Sequence, residues 1–229
     1  MLQAIAPNLW HLQHGFSTLG IGITSRMTVV RFADGRLWLH SPVPLSAPVR
    51  AQLASLGEVA FIVAPNKVHH LFAGDAAKAF PGAALYGAPG LAQKRPGLRN
   101  LRTLAPTVEP EWAAELDQVF ADGFPFANET VFYHKASRTV IMTDLCQWWT
   151  APDLNFGAKL YARATGVRAH LEMPRTIRAG VRDPRAFAAS ARRILAWPFE
   201  RVIVAHDTLL DTNAHAAVAR AFACFTEKY

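Results

Sequence analysis

Cysteine, long apolar runs and charge are all scarce in this sequence, and each scarcity excludes something. Only Cys146 and Cys224 occur among the 229 residues. They are far apart and fall in no metal or redox spacing, so two reduced thiols are expected rather than a disulfide framework or a cysteine-based zinc site. No stretch approaches the roughly 20 apolar residues that a spanning helix requires. Met1 to Asn8 also lacks the basic start and apolar run of a signal peptide, which points to a cytoplasmic protein that does not engage a membrane. Repeats and low-complexity tracts are absent, and no linker divides the chain. Charged residues make up 18% and hydrophobic residues 51%, enough apolar material for a buried core and too much for general disorder. One domain over residues 1–229 is the simplest organisation.

The charge that is present is lopsided, with a formal net value of +7. Much of it lies between Lys159 and Arg201, where Arg163, Arg168, Arg175, Arg178, Arg182, Arg185, Arg192 and Arg193 are interspersed with few acids. Such a run suits an anion or a nucleic acid electrostatically. No recognition helix, zinc finger or stacking platform accompanies it, so a solvated basic face is expected and nucleic acid is not the expected partner.

Hydrophobic patterning gives a mixed α/β chain. Leu9 to Leu12, Thr28 to Phe32 and Leu37 to His40 read as strands of an antiparallel meander, with a turn at Ala33-Asp34-Gly35. Ala47 to Leu56 has helical spacing and stops at Gly57. Val59 to Ala64 is a continuous apolar run of the kind found in strands buried on both faces. A loop bearing His69 and His70 follows, then a helical stretch to about Ala79. Leu85 to Tyr86 is a further short strand, and Ala88 to Arg102 reads as a poorly structured connection. Glu129 to His134 and Thr139 to Thr143 form a hairpin around Lys135 to Arg138, with Asp144 just beyond it. Pro184 to Ala196 is a helix capped by Asp183, Val202 to Ala205 is a buried strand ending at His206, and Asn213 to Phe225 is the closing helix.

Three apolar strands thus run into ionisable residues: His69 and His70, Asp144, and His206. Open α/β sheets bind ligands beyond the carboxyl ends of their strands, which makes these ends the place to look for chemistry. Each residue also has an ordinary use. A histidine at a strand end often only holds a loop, and an aspartate there often caps amides. Glu129 is a reserve ligand, and Lys67 is a fixed charge that could receive an anion.

The segments Leu37 to Pro44, Phe61 to Phe72, Val131 to Leu145 and Val202 to Asp207 together resemble the metallo-β-lactamase fold superfamily. That family has an acidic loop, a histidine-rich loop after an apolar strand, a hairpin ending in Thr/Ser-Gly-Asp, and a last strand ending in Gly-His. Within it, the chain resembles a divergent bacterial branch of unknown function, DUF4336-like. The resemblance implies an αβ/βα sandwich of two facing mixed sheets with outer helices. Aligning the family loop His-x-His-x-Asp-His on His70 places Pro65, Lys67 and His69 where His, His and Asp are expected. No histidine lies between Phe124 and Asn128, where a third ligand of the first metal is expected, and the early Asp is replaced around His40-Ser41-Pro42. The resemblance therefore implies loss of the first metal and a remaining set of His69, His70, Asp144 and His206.

Three imidazoles and one carboxylate suit zinc, iron or nickel better than calcium or magnesium. One such ion could polarise a carbonyl or phosphoryl group, or activate water, with Asp144 as ligand or base. Adjacent His69 and His70 can both face one ion only on an irregular loop, since a strand sends neighbours to opposite faces. Three readings follow. The first is a mononuclear metal-dependent hydrolase acting on a small molecule. The second is a metal-free binding module on the same fold, and the third is an anion or nucleic-acid binder using the arginine-rich segment.

Overall fold

The computed structural model describes residues 1–18 and 20–229. These fall into two compact units, Met1–His14 with Ser25–Leu104, and Gly15–Thr24 with Ala105–Tyr229.

The first unit is organised by a seven-stranded mixed sheet, of which residues 15–18 and 21–24 belong to the second unit. Its strands are β1 (Gln3–Ala6), β2 (Leu9–Thr18), β3 (Ile21–Arg31), β4 (Arg36–His40), β5 (Glu58–Ala64), β6 (Ala84–Gly87) and β7 (Arg102–Thr103), and they lie side by side in chain order. β1 to β2 and β3 to β4 are antiparallel, whereas β4 to β7 are parallel. Parallel neighbours need crossovers, and α1 (Ala47–Leu56), α2 (Ala73–Ala79) and α3 (Leu91–Lys94) supply them. Being flanked by β4 and β6, β5 has apolar residues buried on both faces, which explains its unbroken Val-Ala-Phe-Ile-Val-Ala sequence. Val29, Leu39, Leu53, Ile62 and Leu85 share one buried cluster that joins sheet to helix. Gly57, after α1, is required by proximity: a Cβ there would lie 2.0 Å from the Gly35 carbonyl oxygen.

The second unit has a four-stranded mixed sheet made of β8 (Leu116–Phe120), β9 (Thr130–His134), β10 (Thr139–Ile141) and β11 (Arg201–Ile203), in the order β11-β10-β9-β8. β8, β9 and β10 form an antiparallel meander, and β11 joins β10 in parallel with Val140 opposite Val202. Both carboxyl ends therefore point the same way. The helices are α4 (Phe156–Thr165), α5 (Arg175–Gly180), α6 (Pro184–Leu195) and α7 (Ala214–Thr226). Phe187 of α6 packs 5.7 Å from Phe222 and 4.8 Å from Phe225 of α7, ring centre to ring centre. Asp183 caps α6 by accepting hydrogen bonds from the Arg185 and Ala186 amides.

Two mixed sheets with helices are the α/β class that the sequence predicts. The differences are local. The Ala88 to Arg102 connection contains α3 and leads into β7. Cys146 is buried, Cys224 is exposed and both are free thiols. Among the described residues, no helix is long and apolar enough to cross a membrane.

Candidate functional site

Parallel pairing of β10 with β11 delivers Asp144 and His206 to one place in the second unit. His206 Nε2 lies 3.1 Å from Asp144 Oδ1, and both side chains are largely buried. The other ring nitrogen, Nδ1, is 2.6 Å from the Thr24 carbonyl oxygen. A carbonyl only accepts, so this contact requires the proton on Nδ1. A neutral ring then turns the lone pair of Nε2 toward Asp144 Oδ1, which is also an acceptor. A divalent ion reconciles such a facing pair of acceptors. Two ligands of one tetrahedral zinc, with bonds of ~2.0–2.1 Å, lie roughly 3.3 Å apart, close to the observed separation. The donor set and its spacing fit a metal.

Several groups hold this pair in place. The carboxylate of fully buried Glu129 accepts from the amides of Thr143 at 2.6 Å and Asp144 at 2.9 Å. Burial, and next the charge of Asp144, raise the Glu129 pKa to about 7. Glu129 thus shapes the turn that presents Asp144. Asp207, in left-handed backbone at φ 56, accepts from the amides of Thr150 and Ala151, and its own amide donates to Thr24 Oγ1. The Trp149 ring is 5.7 Å from that of His206. Beside Asp207 lies a cavity of about 370 Å³ lined in part by Phe16, Ile23, Trp149, Leu154 and Asn155.

His69 and His70 lie on the loop between β5 and α2 of the first unit. Asn66 Oδ1 accepts from the amides of Val68 at 2.7 Å and His69 at 2.6 Å, which gives the loop its irregular course. His69 Nδ1 is 2.8 Å from Ser41 Oγ, so a ligand role falls to Nε2. His70 is placed differently. Arg95 Nη1 lies 3.1 Å from His70 Nδ1. A guanidinium only donates, so Nδ1 accepts and the proton sits on Nε2, and neither nitrogen offers a lone pair to an ion. Burial, then Lys94 and Arg95, lower the pKa of His70. The Nδ1 of His70 is thus engaged by Arg95, which sets it apart from His69.

Some contributors carry no metal-site signature in the sequence. Thr24 acts through a backbone carbonyl, and any residue can supply one. Ser41 follows β4, where the superfamily has its acidic loop, and that position was the available signal. His40 stacks on Trp38, and burial followed by the neighbouring His69 lowers its pKa to about 3. Many arginines of the basic run bind local backbone: Arg168 donates to the Trp149 carbonyl, Arg175 to that of Ala164 and Arg192 to that of Thr226. Arg178 pairs with Glu172 at 3.1 Å.

Comparison with known proteins follows the same outline. The family described as Domain of unknown function (DUF4336) matches residues 7–149. No curated protein matches the sequence. A metallo-β-lactamase from Pontibacter korlensis is similar with a TM-score of 0.63 and 13% identity, over 100% of this chain and 99% of that one. A metallo-β-lactamase from Erythrobacter litoralis, solved with β-mercaptoethanol in its active site, gives 0.64 and 14%, over 100% and 96%. The DIM-1 metallo-β-lactamase exposed to ceftazidime gives 0.66 and 12%, over 99% and 96%. At such identities the shared property is the fold.

Proposed function

Because the chain belongs to the DUF4336 family and has the metallo-β-lactamase fold, we propose that it is a mononuclear metal-dependent hydrolase whose ion is held by Asp144, His206 and His69. The observation that carries this reading is the commitment of His206 Nδ1 to the Thr24 carbonyl, which turns Nε2 on Asp144. His69, Asp144 and His206 are all buried and each offers one ligand atom. When bound, a zinc-class ion supplies Lewis acidity and lowers the pKa of water toward roughly 7. The chain's own groups orient the ligands. Thr24 fixes the His206 tautomer, Ser41 holds the His69 ring, and Glu129 and Asn66 shape the two loops. Asp144, through its second carboxylate oxygen, can also accept a proton from a nucleophile. The cavity beside Asp207 suits a small substrate with an apolar part.

The same pair supports a second reading, a metal-free binding module. A doubly protonated His206 would donate to both Thr24 and Asp144 and satisfy the geometry as an ion pair. Elemental analysis of untagged protein separates the two. One transition-metal ion per chain is expected, lost on Asp144→Ala, His206→Ala and His69→Ala and kept in His70→Ala. Two ions, none, or one ion indifferent to Asp144→Ala would overturn the hydrolase reading.

A further inference from the structure

We infer that the first unit carries a separate binding site, a cationic cleft that takes a small phosphorylated organic molecule. The cleft has a volume of about 780 Å³ and lies among α2, the start of β6 and residues 95–102. That is within the roughly 300–1,000 Å³ typical of small-molecule sites. Lys78, Arg95, Arg99 and Arg102 line it, and Asp75 is the one carboxylate among its described lining residues. Asp75 is paired with Lys78 at 3.1 Å, which leaves the arginine side of the cleft without an acid among those residues.

The arginines are arranged rather than merely numerous. Arg102, on the edge strand β7, lies over the Tyr86 ring at 5.6 Å, and its Nη1 is 3.2 Å from the Tyr86 hydroxyl. Arg95 is held by His70. Arg99 and Arg102 both line the cleft, and Asn100 between them lies in left-handed backbone at φ 55. Planar guanidinium groups bind phosphate oxygens in pairs, and prior anchoring reduces the entropy lost on binding.

Charge settles the class of ligand and shape settles its size. With Lys78 offset by Asp75, the three arginines repel a metal cation and attract an anion. Leu71, Leu85 and Leu98 give the cleft an apolar portion, which suits the organic part of a phosphate ester. A polynucleotide site typically adds aromatic platforms for bases, and no aromatic side chain is among the described residues that line this cleft. None of His69, Asp144 and His206 lines the cleft, so the site stands whether or not the chain is a hydrolase.

Isothermal titration of the EDTA-treated full chain at physiological salt tests the inference, with inorganic pyrophosphate, ADP and a single-stranded oligonucleotide as probes. Pyrophosphate and ADP are expected to bind with 1:1 stoichiometry, ADP at least as tightly. Arg99→Gln with Arg102→Gln should weaken both at least tenfold while leaving the melting temperature unchanged, and Arg185→Gln on α6 should change neither. Failure of ADP to bind at millimolar concentration, equal binding to the double variant, or tighter binding of the oligonucleotide than of ADP would overturn the proposal. If the double variant is less stable, Arg99→Lys, which keeps the charge and loses the planar fork, is expected to weaken ADP severalfold, and full retention of affinity would count against the site.

Discussion

Ser41 would not be chosen in a search for metal ligands, yet it sets which nitrogen of His69 is available. Its hydroxyl is 2.8 Å from Nδ1. Ser41→Ala is expected to weaken ion binding about 10- to 100-fold with the fold intact, read by competition with a chromophoric zinc chelator. Unchanged affinity would remove His69 from the proposed set. Glu129 acts by the same logic on Asp144. A glutamine side chain in its place has a single acceptor oxygen for two buried amides, so Glu129→Gln should cost on the order of 1–3 kcal/mol in urea unfolding. His134, away from these groups, reports on acid. Burial lowers its pKa from 6.5 to about 4, so the unfolded chain takes up the proton first. Its contribution is complete above pH 6.5 and is lost as pH falls toward about 4. Burial and the charge of Arg26 lower His11 in the same direction, so the effect is shared. The urea midpoint should fall as the buffer is taken from neutral pH toward the lowered His134 value, and less steeply in His134→Asn. An identical slope in that variant would assign the acid sensitivity elsewhere.

At the scale of elements, burial decided what could be read from the sequence. β5 was legible because sheet neighbours on both sides demand an unbroken apolar run. α1 was legible from its helical spacing and the stop at Gly57, and α6 from the aspartate and proline that mark its start. β2 and β3 are longer than the expected strands, extending into Gly15 to Thr18 and Ile21 to Met27, where the pattern of apolar and polar residues is too mixed to mark a strand. α4 gives little signal, since it buries Ala158 and Ala162 while Phe156 and Leu160 are exposed. Asp144 and His206 were legible as strand ends, whereas Thr24 contributes a backbone atom without a sequence signature. α6 allows a direct test of its own start. Asp183→Ala removes a side-chain oxygen from two amides and should cost about 1 kcal/mol, seen as a lowered thermal midpoint without loss of far-UV signal. Gly123, at φ 78, lies under the same cap, and a Cβ there would come within 2.2 Å of the Asp183 carbonyl oxygen. Gly123→Ala should therefore be the more damaging of the two.

Across the whole molecule, the net charge of +7 invites nonspecific polyanion binding. The arginine-rich segment is spread over α4, α5 and α6 and partly spent on local carbonyls, so association with duplex DNA is expected to be weak and to vanish as salt rises. Submicromolar affinity at physiological salt, measured by fluorescence anisotropy, would show a dedicated nucleic-acid surface. The two sheets also differ in how far the chain must travel to close them. β8, β9 and β10 are consecutive in the chain, but β11 reaches β10 only after the intervening helices, with 62 residues separating Asp144 from His206. Closing so long a loop carries an entropic cost that local hairpins avoid. Asp144 and His206, which face each other in the finished protein, are therefore brought together only by closing that long loop, whereas the meander beside them is built from short local connections.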